Sequence, residues 1–165
     1  MRILILDPGS VTGWALFNNN RYEKSGVINT GACTGNKVAF LRARLMDMLF
    51  KEDKIDLVYI EKKGEYPLIV NLKRNGKIFK KSLSKQLQMY SAYWEIVKMT
   101  IEEIDIPIEI LDTRRLAKKK IAQMKAKAIT GRKSISTHKA EAVCWGEYLC
   151  NKNKGKLFQP IREAK

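Results

Sequence analysis

Short apolar runs and helical stripes alternate along the chain. Residues 3–6, Ile-Leu-Ile-Leu, form an unbroken aliphatic run of the kind that fills a strand buried on both faces. Residues 14–17 read as the next strand, and a third runs from about Tyr22 to Ile28, so residues 1–31 predict a three-stranded meander. Asn18-Asn19-Asn20 marks the hairpin turn between the second and third strands, and Gly13 allows close backbone approach. Beyond a loop with Gly31, Thr34, Gly35 and Asn36, the residues Val38, Leu41, Leu45, Met48 and Leu49 recur at helical spacing. That amphipathic helix ends near Glu52-Asp53. Residues 55–61 return to strand, with a buried core from Leu57 to Ile60. Strand, helix, strand implies a right-handed crossover and a parallel pair.

Downstream, residues 68–72 and 77–79 predict a hairpin around the tight-turn pair Asn75-Gly76. Ser82 or Ser84 then caps a long, largely buried helix ending near Glu103, with Leu87, Tyr90, Ser91, Trp94, Val97, Met99 and Ile101 inward. Residues 106–111 supply the last strand, and Pro107 sets it at an edge. Asp112 or Thr113 caps a basic helix over about 114–127. Caps among residues 134–137 open a final helix over 138–149, with Ala140, Val143, Cys144 and Tyr148 against the sheet. The fold class is α/β: a five-stranded mixed sheet flanked by helices, with an extra basic β-hairpin. Residues 1–150 form one domain, carrying the hairpin as an insertion at about 64–82. Residues 151–165 form a basic, loosely attached tail. There is no internal repeat.

Charge changes the picture more than length does. The 165 residues suit one domain with a proper core, and 45% hydrophobic content agrees. Thirty-two Lys and Arg against 17 Asp and Glu leave +15, a surplus that favours a polyanion partner, nucleic acid first. No apolar run is long enough for a membrane span and no signal peptide precedes the first strand, so a cytoplasmic location is expected (host cytoplasm if phage-encoded), with no membrane partner. Cys33, Cys144 and Cys150 form no C-x-x-C pair and leave an odd count, which fits free thiols in a reducing compartment.

Candidate chemistry sits at the strand ends. Asp7 follows the first buried run and precedes Pro8-Gly9, which places a carboxylate at the mouth of the sheet, where open α/β sheets bind ligands. The plainer reading is a turn-forming Asp. Glu61 ends the second buried strand in the same way, and neighbouring strands lie about 4.8 Å apart, so the two carboxylates can share a metal. His138, the single histidine, and Glu141 are at i and i+3 and share one face of the final helix. Asp7, Glu61, His138 and Glu141 together suit two Mg²⁺ ions, with Mn²⁺ able to substitute. Two such ions about 3.5–4 Å apart activate water and stabilise the leaving oxygen of a phosphodiester. A metal-dependent nuclease follows from these parts. Its nucleic-acid surface falls on Lys62, Lys63, Lys73, Arg74, Lys77, Lys80, Lys81 and Lys85 around the hairpin, and on Arg114, Arg115, Lys118, Lys119 and Lys133 in and after the basic helix. Tyr66 is placed to stack on an unpaired base, although aromatics more often bury their area.

Asp7-Pro-Gly-Ser-x-Thr-Gly13, Val58-Tyr-Ile-Glu61 and His138-Lys-Ala-Glu-Ala142 together resemble, in order, the motifs of RuvC-type Holliday junction resolvases. The resemblance implies the RNase H-like fold, a homodimer, Mg²⁺, and paired nicks across a four-way junction leaving 5′-phosphate and 3′-hydroxyl ends. The sequence departs from that pattern in three places. Glu141 stands where the family usually has Asp. The stretch between Leu111 and His138 is short, with Lys118 and Lys133 the best matches to the family's DNA-contacting lysines. The basic hairpin looks like an addition relative to the bacterial enzyme. A compact variant of this kind is similar to the RuvC-like resolvases of phages, which implies activity on several branched DNAs. The alternatives are an RNase H-like nuclease acting on flaps, forks or RNA, and a non-catalytic branched-DNA binder. The opening motif also resembles the phosphate loop of actin-like sugar kinases, but those close two copies of the fold over ATP, and 165 residues are too few.

Overall fold

The computed structural model describes residues 1–52, 54–62, 69–74, 77–82, 84–112 and 119–152; for the hairpin 69–82 it describes the backbone. β1 (Arg2–Asp7), β2 (Val11–Asn18) and β3 (Arg21–Asn29) form the antiparallel meander. Asn19 and Asn20 take φ of 48° and 64°, the doubly left-handed pair that a tight hairpin turn requires and Asn tolerates. A 3₁₀ turn (Thr30–Ala32) leads to α1 (Lys37–Lys51), whose first turn is capped by the Asn36 side chain accepting from the Val38 and Ala39 amides. β4 (Leu57–Glu61) then runs parallel to β1, and β7 (Ile108–Leu111) parallel to β4. The sheet order is β3-β2-β1-β4-β7, so β7 is an edge, as Pro107 suggests.

β5 (Ile69–Arg74) and β6 (Lys77–Ser82) form a separate two-stranded sheet, the basic hairpin, longer than its hydrophobic pattern indicates. α2 (Ser84–Glu103) follows, then α3 (Lys119–Thr130) and α4 (Thr137–Lys152). The described part of the basic helix is α3, from Lys119 on; the cap candidate Thr113 and residues 114–118 lie outside the described residues.

Alternation along the central strands divides the core. Ile3, Ile5, Leu57 and Tyr59 pack with Phe17 and Ala15 under α3 and α4. Leu4, Leu6, Val58 and Ile60 pack on the other face under α1 and α2. Both β1 and β4 are therefore buried on both faces, which is why their sequences are apolar runs and not alternating patterns. Two inward assignments are corrected. Met99 of α2 is exposed, and its place is taken by Tyr93 and Thr100, because α2 leans on α1 with a slightly rotated stripe. Tyr148 of α4 is also exposed, while Ala142, Trp145 and Gly146 are buried, since α4 is sandwiched between sheet and α3. No helix among the described residues is long and apolar enough to cross a membrane.

Candidate functional site

Pleat parity decides which way the strand-end carboxylates face. Asp7 follows Ile3 and Ile5 at period two, so it projects toward α4, and Glu61 follows Leu57 and Tyr59 toward the same side. The Asp7 side chain is only 6% exposed. The turn after it is locked by Thr12, which is fully buried. Its hydroxyl donates to the Gly9 carbonyl at 2.9 Å and accepts from the Gly9 amide at 3.3 Å. Thr12 belongs to the opening motif, yet its structural work as a lock was not legible from the pattern.

α4 brings its first turn onto β2 at Gly13. A Cβ there would meet the Lys139 amide nitrogen at 2.8 Å, with the His138 carbonyl nearer still. Only glycine admits that approach. Because of it, His138 Nδ1 reaches Asp7 Oδ2 at 2.6 Å across a sequence separation of 131 residues. An ionised carboxylate only accepts, so Nδ1 is the donor in this bond. Glu141, one turn along, lies 3.9 Å from the same Nδ1 and is 14% exposed. Beside His138, burial lowers the Lys139 ammonium below the ordinary lysine range, and Arg132 adds to the effect.

Asp7, His138 and Glu141 each offer one donor atom, all within 4.8 Å of one another, a group that could hold a metal ion. Two carboxylates and an imidazole are hard to borderline donors of the kind Mg²⁺ and Mn²⁺ accept. Of the thiols, Cys144 and Cys150 are buried in the core and Cys33 stands before α1, so none belongs to this group. Glu61 shares the sheet end but falls outside the trio. Its strand end is tied down by backbone, the Lys62 amide donating to the Leu111 carbonyl at 2.8 Å.

The expected nucleic-acid surface is only partly described. Lys62, Lys85 and Lys133 are exposed. Lys73 and Arg74 lie on β5, and Lys77, Lys80 and Lys81 on β6, with Arg74 opposite Lys77 in register. Lys119 opens α3. Lys63, Tyr66, Arg114, Arg115 and Lys118 lie outside the described residues.

The mixed sheet in this order, with α4 laid against the end of β1, is the RNase H-like fold. It is similar to the structure of T. thermophilus RuvC in complex with a Holliday junction substrate, with a TM-score of 0.67 and 17% identity over 94% of this chain and 96% of that one. No family model and no curated protein sequence matches the chain.

Proposed function

We propose that this protein is a divalent-metal-dependent endonuclease that cuts branched DNA, resolving four-way junctions by paired nicks that leave 5′-phosphate and 3′-hydroxyl ends. The observation that carries the reading is the convergence of Asp7, His138 and Glu141 in one group at the mouth of an RNase H-like sheet. The surplus of +15 favours a polyanionic substrate. The RuvC neighbour, itself bound to a Holliday junction, agrees in fold.

Asp7, Glu141 and His138 would hold Mg²⁺ or Mn²⁺, with Glu61 completing the set from β4. Such ions, when bound, lower the pKa of an attacking water and neutralise charge on the leaving oxygen. The chain's own part is positional. Thr12 fixes the turn that follows Asp7, and the Nδ1–H of His138 holds one Asp7 oxygen in place. The lysines of the hairpin and of α3 would carry the phosphates. Cutting both strands of a junction symmetrically calls for two sites, hence a homodimer.

The test is cleavage of a labelled four-way junction with and without Mg²⁺. Paired nicks, lost by more than about 100-fold in Asp7→Asn while binding persists, are the expected result; that factor is the upper end for a mere supporting partner of a metal ligand. Cuts confined to flaps or forks would keep the nuclease and discard the resolvase. Tight binding with no cutting in Mg²⁺ or Mn²⁺ would leave a branched-DNA binder.

A further inference from the structure

One helix is tied directly to the Glu61 strand end and, through Thr30, to the turn that follows Asp7. From α2, the Trp94 indole N–H donates to the Glu61 carbonyl at 2.7 Å. One residue earlier, the Tyr93 hydroxyl lies 3.2 Å from Thr30 Oγ1. Thr30 Oγ1 donates to the Ser10 carbonyl at 2.9 Å, and the Thr30 amide reaches the same oxygen at 2.9 Å. A threonine hydroxyl has one proton. Thr30 uses it on Ser10, so Tyr93 is the donor in its bond to Thr30. The relay runs Tyr93 to Thr30 to Ser10, the residue that closes the turn opened by Asp7. Tyr93 and Thr30 are 4% and 0% exposed, so water cannot substitute for either bond.

The carbonyl that Trp94 holds is bonded to the Cα that carries the Glu61 side chain. Fixing it adds a side-chain tether to the Glu61 backbone, where pairing with β1 has ended and pairing with β7 continues. Tyr93 and Trp94 thus act on the two strand ends from adjacent positions of one rigid element.

We propose that Trp94 is a positioning residue for Glu61, with Tyr93 its counterpart for the Asp7 turn, so that α2 sets how far apart the two carboxylates stand when they share metal. The inference rests on the metal-dependent nuclease reading of the site.

Trp94→Phe stays aromatic but is smaller and removes the N–H; Tyr93→Phe keeps the ring and removes the hydroxyl. Mn²⁺ binding to the free protein is followed by electron paramagnetic resonance, alongside junction cleavage, junction binding in EDTA, and thermal melting. Trp94→Phe is expected to weaken Mn²⁺ binding and slow cleavage by about 10-fold each, the lower range for lost supporting partners of metal ligands. Junction binding should stay at the wild-type value, the melting temperature should fall by the few degrees that one lost hydrogen bond and a smaller ring cost, and raised Mg²⁺ should recover part of the rate. A merely structural role would lower the melting temperature with Mn²⁺ affinity unchanged and show no recovery with Mg²⁺. Wild-type Mn²⁺ affinity in both variants would overturn the proposal. If the wild-type protein binds Mn²⁺ but cuts no branched DNA, the nuclease reading fails, and the Mn²⁺ comparison between wild type and variants still decides the role of Trp94.

Discussion

Replacing Gly13 by alanine tests whether the approach of α4 to β2 builds the site. The added Cβ would lie 2.8 Å from the Lys139 amide nitrogen and closer to the His138 carbonyl, and every one of those atoms is backbone. Comfortable contact for carbon begins at about 3.5 Å. No rotamer change relieves the overlap, so the first turn of α4 must withdraw by about 1 Å. A withdrawal of that size lengthens the 2.6 Å His138–Asp7 bond to about 3.6 Å, which is no longer a hydrogen bond. Overpacking of this kind costs about 1–3 kcal/mol, and unyielding backbone on both sides points to the upper end. At about 2–4 °C per kcal/mol for a chain of this size, the melting temperature should fall by about 6–12 °C. Junction cleavage, measured well below that melting temperature, should fall by at least about 10-fold, because the trio opens even in folded molecules. Gly35→Ala is the control: nothing lies within 4 Å of its Cβ, so both readouts should stay at wild-type values. A Gly13→Ala protein with wild-type stability and wild-type cleavage would refute the reasoning.

Three further outcomes are expected. Thr12→Val preserves shape but strips the buried Gly9 carbonyl and amide of their partner, which should cost about 1–3 kcal/mol in urea unfolding; an unchanged midpoint would show the turn to be held otherwise. Burial pushes the Cys150 thiol up to about 11 from 9.0, and raises the Tyr59 hydroxyl with help from Glu109. Both groups hold their protons more tightly when folded, so their contribution is full below the unfolded value and is lost as pH rises through the folded one. Stability should therefore decline between pH 9 and pH 11, and Cys150→Ala should flatten part of that decline in urea midpoints taken at steps of pH. Junction affinity should fall steeply with salt, at roughly −0.9 in log–log slope per phosphate neutralised, and a slope shallower than about −1 would contradict the charge-based reading of the partner.

The strand ends that carry Asp7 and Glu61 were legible because a doubly buried strand is an apolar run, and a carboxylate that ends such a run is conspicuous. The edge position of β7 was legible from one proline. The i, i+3 pair of His138 and Glu141 put both on a helix face, and the motif order gave the fold. What the sequence could not carry were the contacts that cross it. Thr30, Tyr93 and Trp94 have no spacing signature: Trp94 looks like an ordinary member of a buried stripe, and Tyr93 falls outside the stripe that the sequence predicts. Their hydrogen bonds to Ser10 and Glu61 depend on how α2 lies over the sheet. The misassigned Met99 and Tyr148 fail for a related reason. Periodicity assigns one apolar face to a helix, whereas α4 has two neighbours, the sheet and α3, and buries almost everything between Ala140 and Cys150 except Glu141, Glu147 and Tyr148.

That double burial separates two glycines on the same helix contact. Gly146 lies where a Cβ would overlap the Phe17 ring, while Gly13 lies where one would overlap α4 backbone. Phe17 is 2% exposed and sits in the core under α4, so Gly146→Ala must also cost stability, again by about 1–3 kcal/mol. A ring, however, is the movable end of a side chain, and position 146 is eight residues, about 12 Å, along the helix from His138. The strain can be taken up by Phe17 without displacing the helix's first turn. Gly146→Ala should therefore lower the melting temperature yet leave cleavage per folded molecule at wild-type rate, where Gly13→Ala lowers both. If the two variants lose cleavage in equal proportion to stability, the trio's geometry is a property of the whole α4 docking and not of the single close approach at Gly13.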